Sequence, residues 1–498
     1  MADLDRRAFL ARTGRLVAAA SFWALAGDAT AAVDPRLRTL ARDVRGPVIM
    51  PVDAAYAQAR LVYNERYDGV RPLGVFQPAS VGDVREVVNW ARRTGVRLAV
   101  RSGGHSYAGY STTTGLVVDV RRLHGISFHK GTATATIGAG ARMIDVEAAL
   151  AAHGRAVPCG SCATVGIGGL ALGGGVGLAS RAFGTTSDNV LSLGIVTADG
   201  RHLICSKTEN PGLFWACRGG GGGNFGIVTH FVFRTHPVGP VSYFFASWPW
   251  SQAGEVVRAW QAFAPHAPDG LFSICALQTE PAGPRIASFG QYLGAETTLR
   301  WLLAPLTSVA GVRLTTGTSS YLDAQLRWAG CLGKTPGQCH LVGETPDGTL
   351  SRASFAAKSD YVDAPLSGVA LATARRFLER AQGAGFGSAS LLLDSYGGAI
   401  NRVAPDATAF VHRKALCSAQ YLAYWRPGRE GQAADWLRGF HAAMRPYVSG
   451  FAYQNYIDRE LTSWRHAYYG ANYPRLRAVK TAVDPDRLFR FLQAIDTA

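Results

Sequence analysis

The sequence predicts an α+β protein built in two parts, and three observations carry that reading. At 498 residues the chain is longer than one hydrophobic core usually supports. Up to about Pro237, stretches with strand and helix patterning alternate. From about Val241 the pattern changes to aromatic, strand-like segments that read as an antiparallel sheet with helices on one face.

Taken in order, residues 1–31 read as a twin-arginine signal peptide. Asp5-Arg-Arg-Ala-Phe-Leu10 precedes an apolar run from Leu16 to Ala26, and Ala29-Thr-Ala31 offers small residues for cleavage. That run is too short for a permanent membrane span. The expected partner is the export machinery, and the expected location is secreted or periplasmic. A helical stretch is expected at residues 54–64, then an extended segment at 75–78 stopped by proline. Residues 83–94 carry Val84, Val87, Val88 and Ala91 at the spacing of one helix face, and Gly95 ends the helix. Strands are expected at 116–120 and 132–138, with a helix at 144–153. Beyond Val241, strands are expected at 243–250, 272–278, 287–292, 388–396 and 419–425. A helical segment is expected to close at 260–265, and further ones are expected at 298–306 and 371–381.

Composition narrows the function classes. Apolar residues make up 48%, which excludes a disordered chain. The formal net charge is +16, yet the arginines are scattered, no run of five basic residues occurs and no nucleic-acid motif is present, so no nucleic-acid partner is expected. Eight cysteines in a chain of this size do not make a disulfide scaffold, although Cys331 and Cys339 are candidates for one local bridge. Cys159 and Cys162 form a C-x-x-C, but no second Cys or His pair at zinc spacing follows, so no metal is expected.

Two glycine-rich stretches point to a bound group. Arg101-Ser-Gly-Gly-His-Ser-Tyr-Ala-Gly-Tyr110 follows a short strand, and its glycines free backbone N–H groups to approach a phosphate. His105, Ser106 and Tyr107 place an imidazole, a hydroxyl and a phenol at one mouth. Residues 158–177 hold too many glycines for a helix interior and too many apolar residues for a solvated linker, as expected of backbone packed against a flat ligand. The strand, turn and helix context of a Rossmann site is absent.

Arg-Ser-Gly-Gly-His-Ser, followed 57 residues after His105 by Cys162 in Gly160-Ser-Cys-Ala-Thr-Val-Gly-Ile-Gly-Gly169, resembles the berberine-bridge-enzyme-like branch of the vanillyl-alcohol-oxidase superfamily. The resemblance continues through the residues from Arg218 to Val228, through Asp394-Ser-Tyr-Gly-Gly398, Tyr453-Gln-Asn-Tyr-Ile-Asp458 and Asp484-Pro-Asp-Arg-Leu-Phe489. It implies FAD bonded by His105 and by Cys162. It also implies a PCMH-type FAD-binding domain at 32–238, an inserted substrate domain at 239–450 and a return to the FAD-binding domain at 451–498. Cofactor contacts are expected from Ser102, Gly103, Gly104, His105 and Ser106, from Cys162, Val165, Gly166, Gly168, Gly169, Gly173, Gly174 and Gly177, and from Gly226, Ile227, Val228 and Asn455.

The implied chemistry is oxidation of an alcohol group on a bulky substrate, an oligosaccharide or a glycosylated or polyketide-type natural product, with O2 taking the electrons and H2O2 released. Tyr453 would take the hydroxyl proton if a neighbouring charge or hydrogen bond lowers its pKa. Tyr453 and Asn455 would share one side of an extended Tyr-x-Asn. Asp394 would supply a carboxylate to that tyrosine, and Tyr107 and Gln420 would face the substrate. Berberine bridge enzymes proper carry a glutamate at the position of Gln420, so this chain favours alcohol oxidation over ring closure. Val165 stands where the family controls oxygen access, and valine rather than leucine points to an oxidase. A dehydrogenase using another acceptor is the alternative within the fold. An exported sugar-binding protein is the alternative outside it, and would not need the His and Cys pair.

Overall fold

The computed structural model describes residues 34–498, so the twin-arginine segment lies outside the described residues. A first small sheet holds Val48–Ile49 (β1), Gly74–Phe76 (β2), Leu98–Arg101 (β3) and Leu116–Asp119 (β4) in the order β1-β2-β4-β3. Its β2, β4 and β3 run parallel. The helix Val81–Thr94 covers it. Ser80 caps that helix by accepting from the Asp83 amide, and Gly95 ends it at φ 69°, the left-handed conformation glycine adopts at low cost.

Ile126–His129 (β5) and Thr134–Gly138 (β6) begin a second sheet. Arg155–Ala156 (β7) lies apart, and Val190–Val196 (β8), His202–Ser206 (β9) and Ile227–Arg234 (β10) complete the sheet as β5-β6-β10-β8-β9, antiparallel throughout. His236–Pro237 (β11) pairs with β7.

The second part is one seven-stranded antiparallel sheet. It contains Val241–Trp248 (β12), Leu271–Glu280 (β13), Gly283–Tyr292 (β14), Arg313–Ser319 (β15), Phe355–Val362 (β16), Gly387–Ser395 (β17) and Cys417–Trp425 (β18), ordered β15-β12-β14-β13-β17-β18-β16. Period-two alternation gives the sheet two apolar faces. One face, with Phe244, Cys275, Leu391 and Tyr421, packs on the helices Ala253–Phe263, Gly368–Ala384 and Glu430–Met444. The other, with Phe245, Phe289, Leu392 and Leu422, meets Tyr63, Tyr107 and Val176 of the first part. The chain after Phe451 goes back to the first core, where Ala452, Ile457, Trp464, Leu476, Phe489 and Ile495 share one cluster with Val84 and Leu193.

Two buried arginines fasten the parts. Arg181 donates to the carbonyls of Leu271 (2.8 Å), Pro265 (2.9 Å), Tyr396 and Ala267. Arg413 pairs with Asp188 across the same boundary and also holds the carbonyls of Phe410 and Ile400.

The structure corrects the sequence reading in places. The helix expected at 54–64 is only Tyr56–Ala59. The strand expected from 132 begins at Thr134, because Ala133 turns with φ 51°. The helix at 298–306 is two, Glu296–Leu302 and Ala304–Thr307, with Pro305 opening the second. The stretch 158–177 contains the helix Ile167–Leu172, which buries Ile167, Ala171 and Leu172. Gly168 is needed inside it, since a Cβ there would lie 2.7 Å from the Ala139 carbonyl oxygen. Cys331 and Cys339 are both buried in one small apolar cluster with Ile144 and Ala163.

Candidate active site

Arg101 sets the position of the first glycine loop. Its buried guanidinium pairs with Asp119 at 2.7 and 3.0 Å and reaches the carbonyls of Ala59 and Leu61. Ser102 then donates from Oγ to the Ala139 carbonyl at 2.7 Å. At Gly103 the two glycine loops meet backbone to backbone: a Cβ there would lie 2.2 Å from the Gly166 nitrogen and 2.7 Å from the Thr164 carbonyl oxygen. Gly166 is equally constrained, with Ser102 Oγ at 2.0 Å from its would-be Cβ. The contact brings the His105 and Cys162 loops together. His105 Nε2 lies 2.9 Å from Thr164 Oγ1, and its ring stacks on Tyr63 at 4.0 Å.

These loops form one wall of a cleft. The opposite wall is Phe355, Leu392, Gln420, Leu422 and Tyr424 from β16, β17 and β18, and the C-terminal segment closes it with residues 453–457 and 489–491. Leu392 and Gln420 are register partners, which is why they face the cleft together.

The structure brings sixteen of the expected residues to this cleft: Ser102, Gly103, Gly104, His105, Ser106, Tyr107, Cys162, Val165, Gly166, Gly168, Gly169, Gly226, Val228, Gln420, Tyr453 and Asn455. Gly173, Gly174, Gly177, Ile227 and Asp394 do not border it. The three glycines serve packing, since a Cβ would meet Asn455 Oδ1 at 2.0 Å from Gly173, the Phe410 ring at 2.8 Å from Gly174 and the Cys159 carbonyl oxygen at 1.6 Å from Gly177. Ile227 is fully buried, and strand alternation turns its neighbour Val228 to the cleft instead. Asp394 lies two residues beyond Leu392 on β17, and its charge acts on Tyr453, Tyr456 and Tyr396 through space.

Tyr453 is 3% exposed. Its phenol oxygen accepts from the Gly175 amide at 2.8 Å and from Asn455 Nδ2 at 3.1 Å. The segment is not extended as expected. Gln454–Tyr456 form a 3₁₀ turn with Tyr453 as N-cap residue, and the turn brings Asn455 back to the phenol. Burial pushes the Tyr453 pKa up to about 12; the two donors oppose that shift, and the Asp394 charge adds to it. The hydrogen bonds therefore act in the direction expected of a proton-accepting phenol, and the neighbouring charge does not. Gln420 donates from Nε2 to the Tyr107 hydroxyl at 2.8 Å. Tyr107 stacks on Tyr456 at 5.3 Å with nearly parallel planes, and burial holds both phenols well above their ordinary pKa.

Sequence reasoning missed Tyr63, Thr112, Gln454, Tyr456 and Phe491. Tyr456 was within reach of it, in the quoted Tyr-x-x-Tyr; Tyr63 and Thr112 carry no pattern. The cleft fits FAD. Thr112 Oγ1 and Gln454 Oε1 are buried polar atoms of lining residues with no protein partner. A Cβ at Gly169 would meet nothing within 4 Å, so this loop opens its backbone to a flat ligand.

Known proteins agree. Residues 72–206 match the FAD binding domain, and residues 452–496 match the model described as berberine and berberine like. The FAD-linked oxidoreductase YgaK of Bacillus subtilis is 36% identical, over 90% of this chain and 96% of its own. BBE-like 1 of Physcomitrella patens superposes with a TM-score of 0.85 at 32% identity, covering 93% of this chain and 99% of that one. A chitooligosaccharide oxidase superposes at 0.84 with 26% identity, covering 93% and 100%. With an FAD-binding cleft lined by both glycine loops and closed by the C-terminal tyrosine segment, the chain belongs to the berberine-bridge-enzyme-like family of FAD-linked oxidoreductases in the vanillyl-alcohol-oxidase superfamily.

Proposed function

We propose that the protein is an exported oxidase that carries FAD on both His105 and Cys162 and oxidises an alcohol group of a bulky substrate, with O2 as electron acceptor and H2O2 as product. The carrying observation is the Tyr453 phenol, buried in the lining of the same cleft as His105 and Cys162 and held by two donors. Bound FAD supplies the two-electron acceptor that the side chains lack. Tyr453, ionised to its phenolate, receives the substrate's hydroxyl proton at the phenol oxygen as the carbinol carbon gives up its hydride to that acceptor. The Gly175 amide and Asn455 Nδ2 steady that oxygen while it waits for the proton, and Gln420 orients Tyr107 toward the substrate side.

Cys162 is exposed, whereas the other seven cysteines are buried, which favours a reactive role. The chitooligosaccharide oxidase likeness favours a saccharide alcohol as substrate. Val165 borders the cleft and is half-buried, in keeping with an opening for O2 that leucine would fill. Export rests on the twin-arginine sequence alone; among the described residues no helix is long and apolar enough to cross a membrane.

Acid precipitation of the purified protein tests the linkage. The pellet is expected to stay yellow in the parent and in either His105→Ala or Cys162→Ala, and to turn colourless only in the double variant. Free FAD from the parent sinks it. For the acceptor, substrate-reduced enzyme is exposed to air. Rapid reoxidation with peroxide, slowed in Val165→Leu, is expected; reoxidation only by a quinone or dye makes the protein a dehydrogenase.

A further inference from the structure

The catalytic segment carries a side chain with no assigned task. Gln454 lies between Tyr453 and Asn455, is 7% exposed and lines the cleft. Its carboxamide is wedged between the two parts of the glycine framework. A Cβ at Gly173 would lie 2.2 Å from Gln454 Oε1, and a Cβ at Gly221 would lie 2.2 Å from its Nε2. Two glycines therefore make room for one amide, and any other residue at either position would expel it. Despite this seat, Oε1 is buried and receives no hydrogen bond from the protein. Packing this tight around an unsatisfied acceptor disfavours the fold unless a donor arrives from outside the chain.

The donor belongs to a ligand of the cleft, and the seat indicates which. Gly173 ends the helix Ile167–Leu172 of the second glycine stretch and Gly221 adjoins the lining Gly222 and Gly223, so the carboxamide sits on the glycine-loop side, whereas the substrate side of the cleft is built by β16, β17 and β18. FAD offers two kinds of donor, the imide N–H of its ring and the hydroxyls of its ribityl chain. We propose that Gln454 is a cofactor-binding residue whose Oε1 accepts a hydrogen bond from an N–H or O–H donor of FAD. The role is independent of which substrate the enzyme takes and of how the flavin is attached.

The test uses the holoenzyme of the full chain with Gln454→Met, which keeps length and loses the acceptor, and Gln454→Glu, which strengthens it. Melting curves confirm that each is folded. The imide N–H is titrated at alkaline pH by flavin absorbance, and flavin content is read as the ratio of flavin to protein absorbance. An acceptor on the imide holds its proton, so Gln454→Met is expected to lower the imide pKa by about one pH unit, a tenfold shift, and Gln454→Glu to raise it. If a ribityl hydroxyl is the donor, the imide titration stays at the parent value while flavin content falls several-fold in Gln454→Met and recovers in Gln454→Glu. Folded variants with parental titration and parental flavin content overturn the proposal, and so does an effect confined to KM, which assigns the donor to the substrate.

Discussion

Tyr453 and Glu147 are both buried, and burial acts on them in opposite senses of usefulness. The Tyr453 oxygen already has two donors, so Phe at this position removes the proposed proton acceptor and little packing. Tyr453→Phe is expected to lower kcat by about 10²- to 10⁴-fold while KM moves by a few-fold, read in steady-state kinetics. A kcat within a few-fold of the parent passes the proton to Tyr107. Glu147 has no such service to perform. It sits inside the helix Met143–Ala151 with Oε2 unpaired, and burial raises its pKa to about 8. Its ordinary value is 4.5. Between those values the unfolded chain has released a proton that the folded chain keeps, so stability is full below about pH 4.5 and declines as pH rises toward 8. The loss is on the order of a few kcal/mol. Glu147→Gln is expected to raise the melting temperature at pH 8 far more than at pH 5; an equal change at both pH values refutes this.

Among the elements, the paired glycine loops are the most exacting. No side-chain movement relieves a Cβ at Gly103, because the atoms it meets are the backbone of Thr164 and Gly166. Gly103→Ala is therefore expected to separate the two loops and leave soluble protein with little flavin, measured as the flavin-to-protein absorbance ratio; parental flavin content contradicts it. This contact was half legible in the sequence. The glycines announced close approach, but not what approached, and Gly173, Gly174 and Gly177 answered to Asn455, Phe410 and Cys159 rather than to the cofactor. The helix Val81–Thr94 was readable because its apolar spacing and its Gly95 end agree. The helix Ile167–Leu172 was not, because tertiary packing overrides the low helix propensity of its glycines. Tyr63 and Thr112 were invisible for a different reason: only long-range contacts bring them to His105 and to the cleft.

For the whole molecule, Arg181 is the joint to examine. Four carbonyls from the second part converge on one guanidinium, and burial lowers its pKa to about 10. Arg181→Met leaves those carbonyls without a donor and is expected to destabilise the protein by about 3 kcal/mol or more. Calorimetry is then expected to resolve two transitions in the variant and one in the parent; a single, unshifted transition in the variant removes Arg181 from the joint. The sequence announced two parts and gave no sign of this fastening, since an arginine that binds only carbonyls leaves no charge pattern to read.

The chain's return to its first core after Phe451 also sets an order of events during synthesis. The cleft needs residues 453–457 and 489–491, and more than two hundred residues separate them from the end of β10. At ribosomal speed that interval is roughly 10–40 s, during which the glycine loops exist without their closing wall. FAD capture thus waits on the closing segment, and a ribosome that stalls before residue 453 leaves the glycine loops without the wall that completes the cleft.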